Sequence, residues 1–223
     1  IVDITNYVMM AYGQPLHCFD ADMIAGGKIV VKTLPEGSSF VTLDGEKREL
    51  SDRDLLICNA EEPMCIAGVL GGKGSGTYDT TRDVLFESAY FHPTWVRKSA
   101  RRHGLSTDAS FRFERGVDPD GQLYALKQAA LLAKELAGGE IAMEIVDVQS
   151  PELKKSFDVE LEYQYVHDLI GKEIPHDLIR TILTALDMQI VSENEKGLSL
   201  RVPAYRVDVD RKSTRLNSSH SRA

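Results

Sequence analysis

The sequence predicts an α+β fold: a mixed β-sheet domain with packed helices, then a smaller helix-and-hairpin domain. Three observations predict it. Short apolar runs broken by Gly, Pro, Asn and Asp fill residues 1 to about 91, as strands and turns do. Helically spaced segments fill Pro93 to Gly139. Ser150-Pro151-Glu152 then reads as a linker ahead of a second, shorter set of elements. The domains expected are therefore 1–150 and 151–211. A chain of 223 residues, 43% hydrophobic and 27% charged, has the material for one large and one small globular core.

The elements follow in order. Ile1-Val2-Asp3-Ile4-Thr5-Asn6-Tyr7-Val8 alternates and reads as a strand. Ile29–Lys32 and Ser39–Leu43 are short β segments, and Asp44-Gly45 is a hairpin turn leading into Lys47–Leu50. Leu55–Cys58, Met64–Val69 and Val84–Ala89 read as buried strands. A helix runs from Pro93, a proline its first turn tolerates, to Gly104. A second starts at Asp118-Pro119 and ends at Gly138-Gly139, with Leu123, Leu126, Ala130, Ala133 and Ala137 as a core stripe. Ile141–Val148 alternates as a closing strand. Beyond the linker come a strand (Phe157–Leu161), a helix ending at Gly171, a helix from Pro175 to about Leu186, and two strands around Glu195-Lys196-Gly197. Helix, helix and hairpin make a partial winged-helix-like unit.

Some function classes drop out. No apolar run approaches a membrane span. Cys18, Cys58 and Cys65 are an odd set without metal-type spacing, and read as reduced thiols in a cytosol, serving as small buried hydrophobes. Ile1 is not Met, so the natural chain is expected to start upstream. Residues 212–223 lack apolar periodicity, and Asp210–His220 back-translates to something like a sequencing adapter. That tail is read as non-native and contributes nothing to the fold.

The chemistry concentrates between Arg97 and Arg115. Six basic residues (97, 98, 101, 102, 112, 115) face two acids, Asp108 and Glu114, on a chain of net charge −8. Such a local surplus suits an extended polyanion, and makes chemistry beside bound nucleic acid the hypothesis. Inside it lies Ser106-Thr107-Asp108-Ala109-Ser110, where one of the polar residues caps a helix or Thr107 orients a water. Glu87 interrupts a strand fit for a core, so its carboxylate needs a partner, either a ligand or an internal arginine. His17 follows Gln14-Pro15, as a structural histidine or as a neutral imidazole holding water or a terminal adenosine. Gly71 and Gly72 end a buried strand, where glycine lets backbone approach a ligand and offers N–H groups. Gly72, Gly74 and Gly76 read as a tight turn. A phosphate loop fails, because Ala67 and Gly74 stand where such a loop needs Gly and Ser or Thr.

Five stretches in order resemble the β subunit of bacterial phenylalanine–tRNA ligase, through its central B3/B4 editing domain and the start of B5. They are Asn6-Tyr7-Val8, Gly13 to Asp20, Gly68 to Gly72, Arg101 to Pro119 and Pro203 to Asp208. The resemblance covers residues 1 to about 211. It implies a cytoplasmic α2β2 ligase that uses ATP and Mg²⁺ on its α subunit to charge tRNA(Phe). It also implies that the central domain hydrolyses tyrosine misattached to that tRNA, without a cofactor. By that resemblance His17 and Thr107 are catalytic, Glu87, Gly71 and Ala109 line the editing pocket, and Glu87 accepts the phenolic hydroxyl. Arg101, Arg102 and Arg112 would contact tRNA, these and Arg115 dividing between phosphates and internal partnership with Asp108 and Glu114, and Asp208 would belong to a magnesium site this chain leaves incomplete. No Ser-His-Asp or Cys-His spacing suggests a nucleophile, so a positioned water is expected to attack the ester, with help from the tRNA's terminal hydroxyls. No membrane or DNA is expected as a partner. The alternatives are a non-catalytic RNA-binding or scaffold module, and a free-standing trans-editing protein.

Overall fold

The computed structural model describes residues 1–209 except Met143, Lys154 and Lys155. The reading of 212–223 lies outside them. The chain divides into two compact units, Ile1–Val146 and one starting at Asp147. The fold is α+β.

The first unit opens with a surprise. Residues Val2–Tyr12 form a helix, α1, instead of a strand. Its β-branched content suggested β structure, but Ile4 and Val8 lie four apart and, with Met9, are its buried residues. Ile4 and Val8 pack on Ala125 and Ala129 of a later helix. Tertiary burial outweighs propensity there. Gly13, in the left-handed region, ends α1, and Gln14 beneath it donates to the Pro15 and Ala89 carbonyls.

Strand β1 (Leu16–Asp20) pairs antiparallel with β8 (Val84–Ser88). Between them β2 (Val30–Lys32), β5 (Leu56–Cys58), β6 (Pro63–Ile66) and β7 (Leu70–Gly71) form a four-stranded sheet in the order β2-β5-β6-β7. A hairpin, β3 (Ser38–Val41) and β4 (Lys47–Leu50), turns at Gly45 with φ 83° as expected. The β1–β8 ribbon has two working faces, because residues directly opposite share a face. Phe19 and Leu85 face the main core of Leu50, Leu56, Ile57, Ile66, Phe91, Val96 and Phe113. Leu16 and Phe86 face the α1 cluster.

Helix α2 (Pro93–Arg102) has Pro93 in its first turn, as read from sequence, and His92 as N-cap. A short helix, α3 (Asp108–Phe113), follows the stretch read as holding a helix cap. Helix α4 (Gln122–Ala137) starts four residues after Asp118, whose carboxylate instead closes a turn by accepting from the Asp120 N–H. Its inner face is Ala125, Ala129, Leu132 and Ala133, so Leu123, expected in the core, is 41% exposed. The described residues of 141–148 form no strand: Ile141, Ile145, Val146 and Val148 are exposed. Alternation makes a strand only where a neighbour takes up its backbone groups.

The second unit has β9 (Ser156–Glu162), α5 (Tyr163–Ile170), α6 (His176–Ala185), β10 (Gln189–Asn194) and β11 (Gly197–Pro203). Its sheet runs β10-β11-β9, all antiparallel, over a core of Tyr163, Ile179, Leu198, Leu200 and Val202. Among the described residues no helix is long and apolar enough to cross a membrane.

Candidate functional site

Two polar atoms in the first unit are buried with no hydrogen-bond partner: His17 Nε2 and Glu87 Oε2. The β1–β8 register sets His17 directly opposite Glu87, so both side chains point to the main-core face. Phe19 presses its ring edge on the imidazole, with centroids 4.4 Å apart. Gly71 closes a second side, since a Cβ there would stand 2.9 Å from His17 Cε1 and 2.9 Å from Leu43 Cδ1. Leu43, half exposed, rims the site. Opposite Gly71 in the β6–β7 ladder is Cys65, whose buried thiol feels the Glu87 charge.

Burial shapes every group here. It pushes the Glu87 carboxyl up to about 7 and the His17 imidazole down to about 4, because each charged form loses its water. It also lifts the Cys65 thiol well above its ordinary range. A thiol so raised is no nucleophile near neutral pH.

These two shifts make a testable pair of opposite slopes. The raised Glu87 value means its neutral form suits the fold; that advantage is whole below the unfolded value of about 4.5 and is lost as pH rises through 7. The lowered His17 value acts in reverse: stability is full above about 6.5 and is lost as pH falls through 4. At about 1.4 kcal/mol per pH unit, each amounts to about 3 kcal/mol. Glu87→Gln should therefore match the parent in denaturant unfolding at pH 4 and exceed it by about 3 kcal/mol above pH 7. A difference that does not change with pH would show that Glu87 is solvated.

The other expected site residues divide. Thr107, not Asp108, is the N-cap of α3, in a capping box with Ser110. Its hydroxyl accepts from Ser110 N–H and donates to the Val69 carbonyl at 2.8 Å, leaving one lone pair and no proton for a water. That bond ties the α2–α3 turn to the strand end two residues before Gly71. Ala109 packs half-buried against the main core. Gly72 opens the expected turn, its carbonyl accepting from Ser75 N–H at 3.5 Å. Its N–H bonds the Met64 carbonyl at 2.7 Å, and a Cβ would meet that oxygen and the Phe40 ring, so it offers no donor to a ligand.

The arginines divide between internal partners and open surface. Arg102, expected at tRNA, pairs with Asp54, a fully buried carboxylate. Asp54 also accepts from Ser99 Oγ at 2.6 Å, Ser51 N–H at 2.9 Å and His103 Nε2 at 2.8 Å. Burial alone would raise this carboxyl; the hydrogen bonds from Ser99, Ser51 and His103, with the histidine's charge, outweigh it and hold it low. Arg48 then joins the β3–β4 hairpin to the same corner, donating to the His103 carbonyl, Thr42 Oγ1 and Asp44. Arg112 donates to Asp108 and Met10 Sδ, and Arg115 pairs with Glu114. Arg101 is exposed with no ion pair among the described residues.

Asp208 does not assemble a magnesium site. Both its oxygens are taken by the Arg206 guanidinium at 2.9 Å, and no cluster of three ligating groups exists among the described residues. Magnesium needs several oxygens in near-octahedral array. Two cavities lie away from the His17–Glu87 pair. One of about 580 Å³ lies along α6 at Asp177, Arg180 and Thr184, and one of about 290 Å³ lies between Tyr12, Gln14, Asp118 and Tyr124. Asp54 and Arg48 had no site role in the sequence reading, and Cys65 was read only as a small buried thiol, as it is. Cys65 was within reach, because a hairpin turning at Gly68 (φ 69°) sets residue 65 against 71.

Comparison with known proteins agrees with the motif pattern. The family model of the B3/4 domain matches residues 1–138, and that of the tRNA synthetase B5 domain matches 159–213. Phenylalanine–tRNA ligase beta subunits of Bacteroides fragilis (strain YCH46) and Bacteroides thetaiotaomicron are 62% and 63% identical over 211 residues, 95% of this chain and 26% of each relative. A solved N-terminal fragment of the phenylalanyl-tRNA synthetase beta-subunit from Pyrococcus horikoshii aligns with 94% of this chain and 61% of its own, at 14% identity and a TM-score of 0.43. The chain thus spans about a quarter of the length of the curated relatives it matches. It belongs to the B3/4 domain family, continues into a tRNA synthetase B5 domain, and is similar to phenylalanine–tRNA ligase beta subunits.

Proposed function

We propose that this chain is the editing segment of a phenylalanine–tRNA ligase beta subunit, and that it hydrolyses tyrosine wrongly esterified to tRNA(Phe). The observation that supports this most is the pair of buried, unpartnered atoms, Glu87 Oε2 and His17 Nε2, side by side on one strand pair. Folding leaves such groups unpaired at a cost, which a ligand can recover. A phenol donates to Glu87 whether that carboxyl is ionised or not, whereas phenylalanine leaves the acceptor empty. A synthetic pocket built for the phenylalanine ring rejects an added hydroxyl poorly, so a second site that requires the hydroxyl completes the selection.

The chemistry needs no protein nucleophile. His17, neutral at pH 7, offers Nε2 to hold a water or the terminal adenosine, and the Thr107 lone pair lies at the Val69–Gly71 end. Orientation of water against the ester then carries the rate. In the whole ligase, ATP and Mg²⁺ would serve synthesis on an α subunit in a cytoplasmic α2β2 assembly; editing here would use neither.

The test is deacylation of tyrosyl- and phenylalanyl-tRNA(Phe) by the chain. Release of tyrosine well above the buffer rate, with phenylalanine spared, is expected. Release no faster than in buffer for both esters would leave the non-catalytic RNA-binding or scaffold reading in its place, which the committed Thr107 proton favours, and equal rates above buffer would remove the tyrosyl selectivity.

A further inference from the structure

The outer face of α2 has a composition that the hydrolytic site does not use. Val96, Ser99 and Ala100 are its buried residues, and it contains no acid. At 100° per residue, Trp95, Lys98 and Arg102 fall along one ridge, with Arg97 and Arg101 on the adjoining one. Arg102 is held by Asp54. Arg97, Lys98 and Arg101 are exposed and make no ion pair among the described residues. Arg97 and Arg101 are four apart and Lys98 and Arg101 three apart, spacings at which like charges repel unless a counter-ion joins them. Along the i, i+3 row that holds Lys98 and Arg101, Trp95 is 43% exposed, while Arg97 lies about 160° round the helix from it.

Phe111, on the neighbouring α3, is 51% exposed, but the Arg115 guanidinium already covers its ring at 3.5 Å. No cation is recorded over Trp95. The net charge of the chain is −8, so a cationic face on it is a local feature, complementary to a polyanion.

We propose that this face is a stacking platform for unpaired RNA: Trp95 receives the face of one base, and Lys98 and Arg101, on the same row, hold the flanking phosphates. Cations alone would serve duplex and single strand alike. An exposed indole adds a preference for unpaired bases, since a duplex keeps its base faces stacked inside. The platform leads toward the candidate site, because α2 runs into the turn that Thr107 fastens to Val69. This inference rests on the tRNA reading above and names the stretch of surface an unpaired strand would follow.

Trp95 is the sole tryptophan, so its fluorescence reports this face alone. Titration of the full chain with an unstructured twelve-nucleotide oligoadenylate should quench it to saturation, and a duplex of equal length should quench it weakly. In anisotropy with fluorescein-labelled RNA, Trp95→Leu should weaken single-strand binding about tenfold and leave duplex binding unchanged, and Trp95→Phe should restore most of the loss. Lys98→Gln with Arg101→Gln should weaken both and flatten the salt dependence by about 1.4 in the log–log slope for the single strand. RNA binding without quenching, or equal weakening of duplex and single strand by Trp95→Leu, would overturn the platform. Quenching that persists in a chain without tyrosyl preference would sink the editing reading alone, and tyrosyl-selective hydrolysis by a chain that binds no oligonucleotide would sink the platform alone.

Discussion

Glu87→Ala is expected to collapse the preference for tyrosyl over phenylalanyl ester from between about 10² and 10⁴ to within tenfold. The loss should fall on kcat/KM for the tyrosyl substrate, with the phenylalanyl rate little changed, because only the phenol meets the carboxyl. Glu87→Gln keeps one acceptor oxygen and should retain part of the preference. A general loss of structure cannot imitate this result, because the same acid costs the fold about 3 kcal/mol above pH 7, so the less selective Gln variant should also be the more stable one. Selectivity lost while stability is gained marks a residue kept for a ligand. Discrimination that survives Glu87→Ala would remove the residue from its role and the proposed function with it.

Glu87 was legible in the sequence because a lone acid in Val84-Leu85-Phe86-Glu87-Ser88-Ala89 has to be explained by something. Its partner His17 was flagged, but the two could not be placed opposite each other without the register of β1 and β8, which lie about seventy residues apart. Hairpins with local turn chemistry, such as the one at Asp44-Gly45, were readable for the opposite reason: everything that specifies this one lies between Ser38 and Leu50. The misread segments share one cause. Val2–Tyr12 and 141–148 both carry β-branched residues in near-alternation, and what distinguishes them is the surface each meets. The first finds Ala125 and Ala129 and coils against them; the second finds no strand edge among the described residues. The partner of Arg102 stayed hidden because its acid, Asp54, is 48 residues away in a polar loop that gives no sign of burial. Local sequence shows charge but not which charges are already answered.

That hidden pair carries the second large effect. Asp54→Ala should destabilise the first unit by about 3–5 kcal/mol, because it strands a buried set of donors. Ser99 Oγ, the Ser51 N–H and His103 Nε2 converge on the one carboxylate and lose their buried acceptor when it goes, while the Arg102 guanidinium, 32% exposed, turns to water. Urea unfolding followed at Trp95 reports this unit directly, and the midpoint should fall with the slope unchanged. Asp54→Asn keeps the volume but turns an amide toward Arg102, so it should recover little. Acid should act similarly: the carboxyl is held low, so its contribution is whole above the ordinary carboxylate value and disappears as pH falls through the folded one. The damage should also spread along the chain to the candidate site. His103 and Arg48 connect this corner to the β3–β4 hairpin that carries Leu43, and Leu43 N–H bonds the Gly71 carbonyl at 2.9 Å. Hydrogen exchange should therefore quicken in residues 42–48 and 99–110 before the rest of the unit. A midpoint within about 1 kcal/mol of the parent would mean that this corner is wet and that Arg102 is free for phosphate after all.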